Sequence, residues 1–255
     1  MTATITSIYR YPVKGLSPEP LDAVDLEPGG AIAGDRRFAL ALASTRFDGP
    51  SPEWRPKSAF LALVKNEKLA ALETRFDDAS SELTILRNGR QVVHGKLADP
   101  VGRAIIEDFF AAYMGNDTAG KPHLAEARGD VIFTDQKDKL LSIINLNSVR
   151  DLQRIVGTEI NPLRFRANIY IDGIKPWSEF DWIDDNITVG TTQLSVREKI
   201  DRCAAINVNP DDGARDQNLI KALQSGFGHI DMGIFARVTK GGNIRLGAPI
   251  GPDHT

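Results

Sequence analysis

The chain has 255 residues, of which 42% are hydrophobic and 25% charged; this is the composition of a soluble globular protein with room for one large β-rich domain or two modest ones. Thirty-one Lys and Arg against 34 Asp and Glu leave a formal charge of −3, with no basic stripe to follow a nucleic-acid backbone. No charge-free apolar run reaches the roughly 18 residues of a membrane-spanning helix, and Met1 to Lys14 lacks the pattern of an export signal, so the expected location is the cytoplasm.

The first predicted elements are short strands. Ile5, Ile8 and Tyr11 alternate ahead of a break at Pro12, and Leu21, Val24 and Leu26 lead into the turn Pro28-Gly29-Gly30. A further strand over 37–43 follows Gly34-Asp35-Arg36, the segment 48–56 carries three prolines and reads as loop, and 61–71 fits helix or strand equally. Asn88-Gly89 suits the positive φ angles of a tight hairpin turn, which would pair Leu83, Ile85 and Leu86 with Gln91, Val92 and Val93.

From Asp99 the period becomes helical. Val101, Ile105, Phe109 and Ala112 form the apolar stripe of a predicted surface helix, with Asp99 to cap it and Gly115 to stop it. Residues 115–129 lose periodicity and read as the crossing between two halves. The second half opens with Val131 to Phe133, and Asn147-Ser148 then caps a helix over Val149, Leu152 and Ile155 that ends at Gly157. Strands follow over 165–171, 187–189 and 193–196, then a short helix over 216–224 and a closing hairpin of 234–239 with 243–246 across Gly241-Gly242. Many short strands with few helices favour closed sheets, because closure removes exposed edges. The expected class is mainly β (α+β), as two β-barrel-like units with a few peripheral helices and no internal repeat.

Among residues able to carry chemistry, the lone Cys203 comes first. It excludes an internal disulfide, an all-cysteine iron–sulfur cluster and a cysteine-rich zinc site. Arg202 beside it would favour the thiolate, which binds soft metals and attacks electrophiles; inert buried packing is the other reading. Lys14, Arg36, Arg164 and Arg166 lie in separate loops. They would clamp an anion if brought together, or Arg36 would pair with Asp35 while Arg164 or Arg166 snorkels from an exposed strand face. Trp177 and Trp182 fit a pocket wall or a core, and the carboxylates of Asn209-Pro210-Asp211-Asp212-Gly213 fit a proton relay or a solvated turn. His94, His123, His229 and His254 show no paired metal-ligand spacing.

Taken in order, Tyr11-Pro12-Val13-Lys14-Gly15, Gly34-Asp35-Arg36, Arg164-Phe165-Arg166-Ala167-Asn168, Trp177-Ser178-Glu179, Arg202-Cys203 and Asn209-Pro210-Asp211-Asp212-Gly213 resemble the signature of MOSC-domain proteins with an N-terminal MOSC β-barrel domain. The mitochondrial amidoxime-reducing components and their bacterial counterparts are the relatives the pattern is most similar to. The resemblance implies an N-terminal β-barrel-like domain over 1–115 and a MOSC domain over 116–255. It also implies a molybdenum cofactor, a pterin whose dithiolene holds the metal and whose tail carries phosphate.

On that resemblance Cys203 is the catalytic residue and metal ligand, and Lys14, Arg36, Arg166 and Arg202 hold the cofactor, with Asn168 and Ser148 lining the same cleft. The implied reaction is two-electron reduction of a small N-hydroxylated substrate, with the oxygen leaving as water and a separate reductase or electron-donor protein supplying electrons. Two alternatives remain: a sulfur carrier using a Cys203 persulfide, since MOSC domains also occur in cofactor sulfurases, and a non-catalytic binding module. Asp181 and Asp211 are unassigned as proton donors. The chain departs from the pattern at Gly15, Ala167 and Asn209, where relatives often carry Ser, Pro and Asp. A fused ferredoxin-like module is not expected after the final hairpin.

Overall fold

The computed structural model describes residues 2–47, 53–129 and 131–252; most of the proline-rich loop and His254 lie outside them. In chain order the first half holds β1 (Ala3–Arg10), β2 (Glu19–Leu21), β3 (Ala23–Leu26), β4 (Phe38–Ala41), β5 (Glu73–Asp77), β6 (Glu82–Arg87), β7 (Arg90–Lys96), α1 (Pro100–Met114) and β8 (His123–Glu126). The second half holds β9 (Leu141–Asn145), α2 (Leu146–Val156), β10 (Ile169–Asp172), β11 (Asn186–Val189), β12 (Thr192–Asp201), α3 (Leu219–Phe227), β13 (Asp231–Lys240), β14 (Gly242–Arg245) and β15 (Pro249–Pro252). The class is mainly β, with three α-helices among the described residues.

Seven strands close into a barrel in the order β10-β9-β13-β12-β11-β15-β1, and β1 returns to β10. The closing strand is the N-terminal one, paired antiparallel through Ile5↔Ile171 and Ile8↔Ile169. Alternate residues point inward, so Ile5, Ile143, Ile171, Leu194, Val196 and Ile234 share one apolar core. The parallel pair β9 and β10 needs a crossover. Helix α2 begins it, and the returning segment, residues 157–168, delivers Arg166 and Asn168 to one end of the barrel.

The remaining first-half strands form a meander, β5-β6-β7, and a ladder, β4-β8. They pack with α1 around Leu61, Leu69, Ile85, Ile106 and Phe110. The hairpin at Asn88-Gly89 forms with Ile85↔Val93 and Leu86↔Gln91 in register, and both central residues have positive φ.

Several expectations are corrected. The apolar stripe of α1 is not its buried face: Val101 and Ile105 are exposed, while Gly102, Ile106, Phe110 and Met114 are buried. The cause is Gly102, which lets the helix backbone approach β7 so closely that a Cβ there would sit 2.2 Å from the Lys96 carbonyl oxygen. The crossing segment contains β8, which pairs back to β4. Residues 61–71 form turns and a 3-10 segment over Glu67–Ala71. The strand expected from 165 starts at Ile169, because Pro162–Phe165 is a 3-10 turn. The α2 cap is Asn145, whose side chain accepts the Asn147 amide. The closing hairpin does not form, since β14 pairs with β3 instead, Ile244 facing Val24. Strands β5, β9 and β15 carried no signal strong enough to be read.

Candidate functional site

Two loops of the first half and two stretches of the second meet at one end of the barrel. Val13 bridges to Phe38, and the Lys14 amide donates to the Phe38 carbonyl at 2.8 Å, which fixes the residue after the Pro12 break. Arg36 closes the turn after Gly34, donating its amide to the Tyr11 carbonyl at 2.7 Å. Arg166 ends the 3-10 turn. Arg202 and Cys203 follow β12, with the Arg202 amide on the Ile230 carbonyl at 3.1 Å. Arg36 and Arg166 have φ of 46° and 52°, a left-handed backbone that costs a non-glycine residue about 1 kcal/mol or more and persists only where the surroundings enforce it.

These elements enclose a cleft of about 360 Å³ whose walls include Lys14, Arg36, Arg166, Arg202 and Cys203. The Cys203 side chain is half-buried, not sealed in the core. Lys14 is buried and donates to the Phe133 carbonyl at 3.0 Å and to Asp135 at 2.5 Å. Burial pushes its ammonium below the ordinary lysine value, with Asp135 opposing. Arg36 pairs with Asp35 at 2.6 Å, the local pairing that the sequence allowed, and donates to the Arg166 carbonyl at 3.0 Å. Burial opposes its charge, yet Asp35, together with Tyr11 and Asp135, holds the guanidinium above its ordinary value.

The other two arginines differ. Arg202 donates to the Met232 and Phe165 carbonyls and meets no carboxylate within ion-pair distance among the described residues. The Arg166 guanidinium has neither a carboxylate nor a hydrogen-bond acceptor among them; its contact is the Tyr11 ring, 4.3 Å from the guanidinium carbon. Burial lowers both to about 10, so both stay charged at neutral pH. Two buried cations with no counter-charge among the described residues create a positive potential that favours an anion.

Not every expected residue reaches it. Ser148 does not line the cleft: it is fully buried, donates to Glu179 at 2.7 Å and accepts the Trp177 amide at 2.8 Å. This corrects the expectation for the helix start. Asn168 does line it, but its side chain is committed, accepting from the Ser142 hydroxyl at 2.9 Å and donating to Tyr9 and Asp35, both at 3.2 Å. Arg164 is not on a strand face; it is buried in the 3-10 turn and holds Asp216 in a two-pronged pair at 2.7 and 2.8 Å. Trp182 is core and Trp177 packs on Phe227 and His229, both away from the cleft walls. Asp181 and Asp211 lie outside it too.

Three residues of the site escaped sequence reading. Tyr11 stood inside a quoted motif without a site role, Asp35 was read only as a local partner for Arg36, and Asp135 sits in a segment with no periodic signal. Among the described residues no group of three or more His, Cys, Asp and Glu side chains gathers around a metal position.

The model of the MOSC domain matches residues 130–251, and that of the MOSC N-terminal beta barrel domain matches 2–126. The chain belongs to the MOSC-domain family that carries this N-terminal domain. A molybdenum cofactor sulfurase from Caenorhabditis briggsae is 24% identical over 235 residues, covering 87% of this chain and 31% of the sulfurase. The Homo sapiens molybdenum cofactor sulfurase is 28% identical over 116 residues, covering 41% of this chain and 13% of its own length. The chain thus spans between a tenth and a third of the curated relatives it matches. The solved YUAD protein from Bacillus subtilis aligns over 98% of this chain and 94% of its own, at 14% identity and a TM-score of 0.46. No helix of the described residues is long and apolar enough to cross a membrane.

Proposed function

We propose that the chain binds the molybdenum cofactor in this cleft and works as a molybdenum-dependent oxidoreductase on small N-hydroxylated molecules, with electrons from a separate donor protein. One observation carries the reading: a half-buried thiol shares its cleft with Arg166 and Arg202, two guanidinium groups that lack an anionic partner among the described residues. A pterin phosphate supplies that anion, and a thiolate is the soft ligand that suits the metal. The matching cofactor sulfurases support the cofactor class more than the reaction.

When bound, the cofactor supplies the two-electron redox chemistry. The chain's residues do the rest. Arg166 and Arg202 bind the phosphate, and Lys14 and Arg36, held by Asp135 and Asp35, add positive potential around it. Cys203 holds the metal. Phe165, Ile206 and Phe235 form an apolar part of the wall and limit water there.

The test is elemental analysis of wild type and Cys203→Ala purified from a cofactor-competent host, together with reduction of an amidoxime by a chemical donor. Near-stoichiometric molybdenum in wild type alone is the expected result. Metal-free wild type from that host, inactive on amidoximes, would sink the reading. The sulfurase relatives favour a second one, a sulfur carrier; a persulfide adduct on Cys203 in a molybdenum-free protein, seen by mass spectrometry, would establish it.

A further inference from the structure

The cleft's two left-handed arginines share one neighbour. The guanidinium carbons of Arg36 and Arg166 each lie 4.3 Å from the centroid of the Tyr11 ring, and that ring is fully buried. The polar groups of Tyr11 anchor that ring beside the two arginines. Its amide donates to Asp35, the partner of Arg36, at 2.8 Å. Its carbonyl accepts the Arg36 amide, and its hydroxyl donates to the carbonyl of Ala167, next to Arg166, at 3.2 Å. The circuit closes where Arg36 donates to the Arg166 carbonyl. Arg164, by contrast, is tied down by the carboxylate of Asp216.

We propose that Tyr11 is the positioning residue that holds the Arg36 and Arg166 guanidinium groups together as one anion receptor, through the face of its ring. Two like charges against one ring repel, and Asp35 neutralises one of them. The negative face of an aromatic ring attracts cations, most strongly where water is excluded, and it accepts no hydrogen bond from the guanidinium edges. The N–H donors of Arg166 are therefore left for a ligand, whereas a carboxylate in the place of Tyr11 would occupy them. The aromatic ring thus stabilises the positive charge without competing for its donors. The inference rests on the reading of the cleft as a phosphate receptor, but it concerns the receptor and not the metal.

The experiment uses the full chain from a host that makes no molybdenum cofactor, titrated with inorganic pyrophosphate. Wild type and Tyr11→Phe, which keeps the ring face, bind within about twofold of each other. Tyr11→Leu binds at least about tenfold more weakly, the factor that desolvated cation–π contacts supply. Wild type that binds no pyrophosphate, a folded Tyr11→Leu that binds as well as wild type, or Tyr11→Phe that fails as badly as Tyr11→Leu overturns the proposal. Arginine Nε–H resonances of wild type decide the matter if Tyr11→Leu does not fold. Two of them shifted upfield by the ring and moved by pyrophosphate support the role, and none shifted overturns it. Molybdenum content is read separately: pyrophosphate binding governed by Tyr11 in a protein that never retains molybdenum keeps the receptor and removes the cofactor.

Discussion

Lys14 Nζ lies 2.5 Å from Asp135 Oδ1, joining the loop after β1 to the segment that connects the two halves. Asp135 also faces Lys57 at 3.8 Å, and against burial Lys14, Lys57 and Arg36 together hold its carboxyl below the ordinary value. A carboxylate thus stands at the wall of a cleft otherwise rich in cations.

Asp135→Asn is expected to strengthen pyrophosphate binding to the cofactor-free chain by about threefold to tenfold. A unit charge several ångströms from an anion at a partly solvated site contributes on this order. Calorimetric titrations at low and high salt check it, and the gain shrinks as salt rises. Unchanged affinity at low salt would mean that the carboxylate is already screened.

Acid stability is expected to depend on Glu126 of β8. It accepts Arg37 at 3.1 and 2.7 Å and pairs with Arg103 of α1, linking the β4-β8 ladder to the helix. Burial acts to raise its pKa, but the two arginines prevail and hold it below the ordinary value of 4.5. A carboxyl depressed in the fold stabilises above its unfolded value, and that stability fades as pH falls through the folded one. Glu126→Gln should therefore cost about 1–3 kcal/mol at pH 7 and show a flatter loss below pH 4.5 than wild type. Urea unfolding at several pH values measures both, and parallel acid profiles would contradict the assignment.

Gly102→Ala in α1 is expected to destabilise although alanine is the better helix former by about 1 kcal/mol. The added methyl meets backbone of Lys96, which cannot rotate away, and overpacking of this kind costs about 1–3 kcal/mol. A thermal melt that rises in Gly102→Ala would show that the helix can slide off β7.

Tyr11, Asp35 and Arg36 illustrate what a sequence can and cannot disclose about a site. All three were visible as residues of quoted motifs, and the MOSC resemblance gave Arg36 a task. Neither spacing nor residue type shows that Tyr11 also meets Arg166, which lies 155 positions along the chain. Ser148 erred the other way, because a helix start looks alike whether it faces a cleft or a buried glutamate. The stripe on α1 misled for a related reason: apolar spacing identifies a helix, but the Gly102 contact decided which face turned inward.

By itself the sequence determined what neighbouring residues decide: the turn at Asn88-Gly89, the Asp99 cap and Gly115 stop of α1, and the ordered motifs that mark the family. These follow from backbone preferences and hydrogen bonds over a few positions. Tertiary structure alone decided that β1 closes the barrel against β10, that β14 leaves β13 for β3, and that Lys14 finds Asp135. Each of those pairings spans more than a hundred residues, and its partner is selected by closure of the sheet and burial of shared apolar surface, which no local pattern encodes.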